Sequence, residues 1–221
     1  DENEDYDIDK ASLEIEDKWV ISRINSLAKL VDKNLNNYEI GLAASALYDF
    51  IWFEFCDWYI EFVKPRLYGE DESRKYAALS TLVYSLDNIL RLLHPFMPFI
   101  TEEIYGLLPK KEEKIIISNY PVFDENLNYS WEEESVGIIV DAISAIRNQR
   151  AELKIPASKK SDLYFYSDDK DLTGMLKKLD YNFMSLASAE KVLILEEDED
   201  VDNSVTIVMD GYKIYISLEG L

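Results

Sequence analysis

Few side chains in this sequence combine reactivity with informative spacing. His94 is the only histidine, set between Leu93 and Pro95, and Cys56 is the only cysteine, set between Phe55 and Asp57. A nucleophilic triad needs a histidine within reach of both a nucleophile and an orienting acid, and no spacing here nominates either. His94 therefore reads as the cap of a broken helix and Cys56 as a packed thiol. Asp5, Asp7, Asp9 and Glu16 carry the end spacing of a calcium loop, but Lys10 stands where the sharp turn demands Gly. Asp198, Asp200 and Asp202 fail at two positions, occupied by Asn203 and Met209. Glu54, Asp57 and Glu61 share one helix face, where pairing with neighbouring cations explains them. Neither GxGxxG nor GxxxxGK[ST] occurs, so no phosphate-cradling loop is visible. Catalysis by this chain has no candidate residues.

The cations are more suggestive. Arg147 and Arg150 lie three apart, followed by Lys154, Lys159 and Lys160. Lys18, Trp19 and Arg23 cluster on one predicted helix, and Lys64 and Arg66 close another. Arginines and lysines mounted on helices beside an aromatic ring suit phosphate contacts and stacking on unpaired bases. The same residues also serve as the solvating charges that any helix surface needs. Both readings stay open at this point.

The elements that would position them follow from hydrophobic period. Val20, Ile24, Leu27 and Val31 make one stripe of a helix from about 16 to 35. A longer helix, about 39–67, carries Ile40, Leu47, Ile51, Phe55, Trp58 and Phe62 and is apolar around much of its circumference, as for a central buried helix. A third helix fits 71–93, with Leu79, Leu82, Leu86, Ile89 and Leu93 on one face. His94-Pro95 breaks it, and Pro98 opens a short fourth helix to about 107. Residues 108–131 read as a connector, with Ile115 to Ile117 as a short strand. A fifth helix spans about 132–153, with Val136, Val140, Ile143, Ile146 and Arg150 in register. The period then changes. Strands are expected at 162–167, 191–195, 205–209 and 212–217, with one or two helices at 170–186. Asp210-Gly211 is a two-residue hairpin turn whose positions both accept positive φ. The expected fold is mainly α: a five-helix antiparallel bundle, then a small α+β module.

Composition supports a folded chain. The 221 residues are 48% hydrophobic, with only 7 Gly and 6 Pro. A lone cysteine points to a reducing compartment, so a cytoplasmic location is expected. No apolar run reaches the roughly 18 residues needed to span a bilayer, and the opening DENEDYDIDK is no signal peptide. Lacking an initiator Met, the chain reads as processed or as a fragment. Net charge is −21, which disfavours phosphate partners. Yet residues 1–17 hold nine acids and one Lys, and residues 196–202 hold six acids. Outside those tracts the chain is only mildly acidic and has room for a local basic patch.

Three stretches are familiar. ASALYDFIWFEFCDWYIEFVKPRLY at 44–68, LRLLHPFMPFITEEIY at 90–105 and ISAIRNQRAELKIPASKK at 143–160 resemble the anticodon-binding bundle of bacterial valyl-tRNA synthetases, as does the closing YKIYISLEGL. The resemblance runs from about Glu16 over almost the whole chain. It implies an acidic lead-in at 1–15, an anticodon-binding bundle at 16–156 and a small α+β module at 157–221. It further implies a parent enzyme that joins valine to its tRNA using ATP, with Mg, in a catalytic domain absent here. With one histidine, the HIGH-type signature of that domain cannot be present, and PASKKS at 156–161 only superficially echoes its KMSKS-type signature. The expected partners are the anticodon stem-loop of valine tRNA and the parent's own catalytic domain. No membrane partner or resident cofactor is expected, and an exposed docking face would favour self-association. The RNA-contacting residues expected on physical grounds are Arg147 and Arg150, then Arg66 and Lys64, then Trp19 and Arg23. Two alternatives are an acidic helical interaction module without an RNA role, and the equivalent domain of an isoleucyl-tRNA synthetase.

Overall fold

A computed structural model of the chain describes residues 6–109 and 114–219; the first residues of the acidic lead-in, Asp5 among them, and part of the 108–131 connector lie outside that range. The fold is mainly α, a set of packed helices followed by a four-stranded sheet with two helices. By compactness the chain divides into Asp1–Glu133 and Glu134–Leu221, with the division inside one helix.

In the first unit, helix α1 spans Ile15–Asn36 and buries Val20, Ile21, Ile24, Leu27, Ala28 and Val31. Its start is fixed by Asp17, whose carboxylate accepts from the Glu14 backbone N–H at 2.9 Å. Helix α2, Ile40–Asp49, runs on without a break through π-helical turns at Phe50–Tyr59 into α3, Ile60–Leu67. This is the expected long helix, with Pro65 in its last turns. Its burial differs from expectation. Ala43, Leu47, Phe50, Phe55, Tyr59, Phe62 and Val63 are buried, but Ile40, Leu42, Tyr48, Trp52 and Phe53 are 51–59% exposed. The apolar circumference predicts a central helix, but one long face meets solvent.

Helix α4, Glu72–Leu93, is capped by Asp71, which accepts from the backbone N–H groups of Ser73 and Arg74 at 3.0 and 3.1 Å. Its buried face is also not the expected leucine stripe. Ala77, Ala78, Ser80, Thr81 and Ser85 are buried with Ile89, Leu90 and Leu92, while Leu79, Leu82, Leu86 and Leu93 are half-buried. Small side chains let neighbouring helices approach closely, which a ranking by hydrophobicity overlooks. Pro98 opens α5, Pro98–Tyr105, as expected. Buried Thr101 donates to Met97 O at 2.8 Å, and His94 Nδ1 lies 2.8 Å from the same hydroxyl, so the histidine does cap the break. Ile115–Ile117 forms a 3-10 turn rather than a strand, and only Ile115 is buried.

In the second unit, α6, Ser130–Glu152, buries Val136, Ile139, Ala142, Ile143, Ile146 and Arg150 along one face. The strands β1 (Ser161–Tyr166), β2 (Ala189–Ile194), β3 (Ser204–Met209) and β4 (Tyr212–Ser217) lie in the order β2-β1-β4-β3. β1 and β2 are parallel, so the chain between them crosses over through α7, Lys170–Lys178, and α8, Asp180–Leu186. Leu163 and Phe165 of β1, paired with Ile216 and Ile214 of β4, make one wholly buried sheet face. Phe165 meets Phe183 of α8 at 4.8 Å between ring centroids. β3 and β4 form the expected hairpin, in which only Gly211, at φ 82°, takes positive φ.

Candidate nucleic-acid interface

The six residues predicted to contact RNA separate by environment. In the first unit, Trp19 is 6% exposed and packs edge-on against Phe62, with centroids 6.1 Å apart and rings 82° apart. Its ring is part of the core. Arg66 is likewise buried. Its two terminal nitrogens donate to the two oxygens of Asp17 at 2.7 and 2.6 Å, and Tyr59 Oη donates to the same carboxylate at 2.8 Å. Burial works to lower the Arg66 pKa, but the hydrogen bonds and charge of Asp17 win and hold it above the ordinary arginine value. Arg23 is half-buried and forks onto Glu54 at 2.6 and 2.8 Å, with Glu133 at 3.5 Å. Its hydrogen bonds to Glu54 raise its pKa against the opposing effect of burial. Lys64 is exposed and pairs with Glu61 one turn earlier.

In the second unit, Arg147 is exposed on α6 and donates from Nε to Leu186 O at 2.8 Å. Arg150, three residues on, is 5% exposed. It donates to Ser161 Oγ at 2.7 Å, to Pro156 O at 3.2 Å and to Lys159 O. With neutral acceptors only, desolvation lowers its pKa from the usual arginine value, the opposite of Arg66. The two carbonyl acceptors belong to the turn after α6, which exposes Lys154, Lys159 and Lys160, and Ser161 opens β1. Of the predicted residues, the structure leaves Arg147 and Lys64 at the surface, half-exposes Arg23, and places Trp19, Arg66 and Arg150 inside.

Two further features lie outside those six residues, and the sequence marked only the second. One is the exposed aromatic face, where Tyr48 lies 6.3 Å from Trp52 and 6.5 Å from Phe53 between ring centroids. A groove of about 530 Å³ is lined by Leu27, Leu30, Leu42 and Phe50 together with Arg23 and Glu54. The other is the lysine turn itself, whose signal in the sequence is the run KIPASKK. Among the described residues, no group of three or more His, Cys, Asp or Glu is placed to hold a metal ion, and no helix is long and apolar enough to cross a membrane.

Helix-mounted cations at the surface, Lys64 in the first unit and Arg147 in the second, suit a binding role, and comparison with known proteins gives the family. A family model described as the anticodon-binding domain of tRNA ligase matches residues 17–165. The chain belongs to this family. It is 41% identical over 203 residues to a valine–tRNA ligase of Clostridium perfringens, covering 91% of this chain and 23% of the relative. It is 42% identical over 205 residues to that of Clostridium tetani, covering 92% and 23%. The valine–tRNA ligase of Oceanobacillus iheyensis is 38% identical over 218 residues, covering 99% and 25%. As an anticodon-binding domain, the chain thus spans about a quarter of the length of these relatives.

Proposed function

We propose that this chain recognises the anticodon stem-loop of valine tRNA, as one part of an enzyme that attaches valine to that tRNA using ATP in the cytoplasm. The observation that carries the reading is similarity to valine–tRNA ligases along 91–99% of the chain. Among the described residues no His, Cys, Asp or Glu cluster fits an ATP-bound metal, and the sequence carries no glycine-rich phosphate loop. ATP, with Mg, belongs to the catalytic part of the proposed parent.

The chain's own contribution is contact with an RNA loop whose unstacked bases are read by edge hydrogen bonds and stacking. Arg147 is the first residue assigned to that contact, with Lys64 and half-exposed Arg23 next. Trp19, Arg66 and Arg150 contribute by holding the scaffold that presents them. The exposed face of Leu42, Tyr48, Trp52 and Phe53 also favours self-association of the chain. Sedimentation equilibrium showing a clean monomer at high concentration would remove that part of the proposal.

Fluorescence anisotropy with a labelled valine anticodon stem-loop, an isoleucine stem-loop and a salt titration tests the main reading. The expected result is saturable binding that prefers the valine loop, weakens with salt and drops several-fold in Arg147→Ala. Equal affinity for the two loops would overturn the valine assignment. Absence of binding would favour a protein-interaction module instead.

A further inference from the structure

Arg150 is an uncommon kind of buried cation. Buried arginines are ordinarily matched by acids, as Arg66 is by Asp17. Among the described residues no carboxylate comes within ion-pair distance of Arg150, whose acceptors are Ser161 Oγ, Pro156 O and Lys159 O. Two belong to the turn after α6, and the third, Ser161, opens β1 directly after it. That turn is held from its other side as well. Ser188 Oγ donates to Ala157 O at 3.0 Å, Lys159 N–H to Pro156 O at 3.0 Å, and Ser161 N–H to Ser188 O at 3.3 Å. Lys154 and Ser188 take the left-handed region, at φ 57° and 54°. The turn has a built shape.

It also carries charge of one sign. Between 147 and 160 stand five cations and one acid, Glu152, in a chain whose net charge is −21. Lys154, Lys159 and Lys160 are exposed. Lys160 meets Glu190 at 3.7 Å, with side chains 61% and 57% exposed, a pair that screening leaves weak. A guanidinium held by neutral acceptors thus anchors a turn that exposes three lysines within seven residues. It is a good arrangement for a polyanion. We infer that the 154–160 turn is a seat for the phosphate backbone of RNA, with Lys154, Lys159 and Lys160 as its contacts and Arg150 as the positioning residue that shapes it. The inference rests on the RNA-binding reading above and adds a division of labour. Phosphate contacts raise affinity for any RNA of similar shape and carry no base information.

The test is anisotropy of the full chain with two labelled stem-loops, the valine anticodon loop and the same stem with a scrambled loop, each titrated with salt. Lys159→Ala/Lys160→Ala is expected to weaken both RNAs by the same factor, roughly tenfold, and to flatten the log–log salt slope by about 1.5–2 units. Arg150→Ala should have a similar effect although every lysine remains, with faster hydrogen exchange across 156–160. Arg150→Lys should not rescue it, since one ammonium cannot reproduce the fork that spans the three acceptors. If Arg150→Ala loses its circular-dichroism signature, the lysine pair decides. Wild-type affinity and slope in the lysine pair, with the native chain still preferring the valine loop, would overturn the seat and leave the anticodon reading intact. A native chain that binds neither RNA would overturn both.

Discussion

The carboxylate of Asp17, in the first turn of α1, receives both terminal nitrogens of Arg66 from the end of α3, 49 residues later, at 2.6 and 2.7 Å with both side chains sealed from solvent. Tyr59 Oη and the Glu14 backbone N–H donate to the same carboxylate. The pair ties the two ends of the first three helices together. It also turns the Arg66 guanidinium away from solvent.

Breaking this pair strands a buried charge. Asp17→Asn is expected to cost about 3–5 kcal/mol of stability, against less than about 1 kcal/mol for Lys64→Ala at the exposed Glu61 pair. Urea denaturation of the two variants measures the contrast. Similar midpoints would show that Asp17 is not a lock.

Alkaline pH should loosen the fold through its buried tyrosines. Burial pushes Tyr84 and Tyr212 from 10.0 to about 12, and Tyr59 is raised well above its ordinary value, first by burial and then by the charge of Asp17. Below pH 10 these phenols are protonated in both states, so their contribution to stability is complete. Between about 10 and 12 the unfolded chain loses protons that the folded chain keeps, and stability falls. Tyr84→Phe should reduce the steepness of that fall in denaturation midpoints taken across the window. An unchanged slope would count against the assignment.

The two faces of the long helix should respond very differently. Phe62→Ala, at 2% exposure, is expected to cost about 3–5 kcal/mol. Trp52→Ser, on the open face at 51%, should stay within about 0.5 kcal/mol. Guanidinium denaturation compares them directly, and a large loss in Trp52→Ser would mean that this face is covered in the isolated chain.

Gly211 supplies a test of backbone strain alone. A Cβ there would meet nothing within 4 Å, yet φ is 82°. Gly211→Ala should therefore cost about 1–2 kcal/mol, and Gly211→Asn less, since asparagine tolerates this region better. Thermal denaturation of both variants checks the order.

Much of the architecture was legible in the residues. Helices were expected within a few positions of where they lie, because caps such as Asp71, breakers such as Pro98 and the spacing of apolar residues act over a single turn. The β3–β4 hairpin was read from Asp210-Gly211 for the same reason. The buried face of α4 is not its leucine stripe, because buried small residues resemble a surface in composition. The length of α2 through α3 was anticipated, but not its open face, since hydrophobicity says that a side chain favours leaving water and not what stands ready to cover it.

The sequence by itself determined the order of elements, the change of period after Pro156 and the concentration of cations between Arg147 and Lys160. All of these depend on neighbours along the chain. The tertiary structure alone decided which cations face water. Arg66 and Arg150 look alike as letters, yet one is matched by Asp17 and the other lies under neutral carbonyls. A guanidinium's role is set by the charge and solvent around it, and for Arg66 that charge comes from a residue 49 positions away.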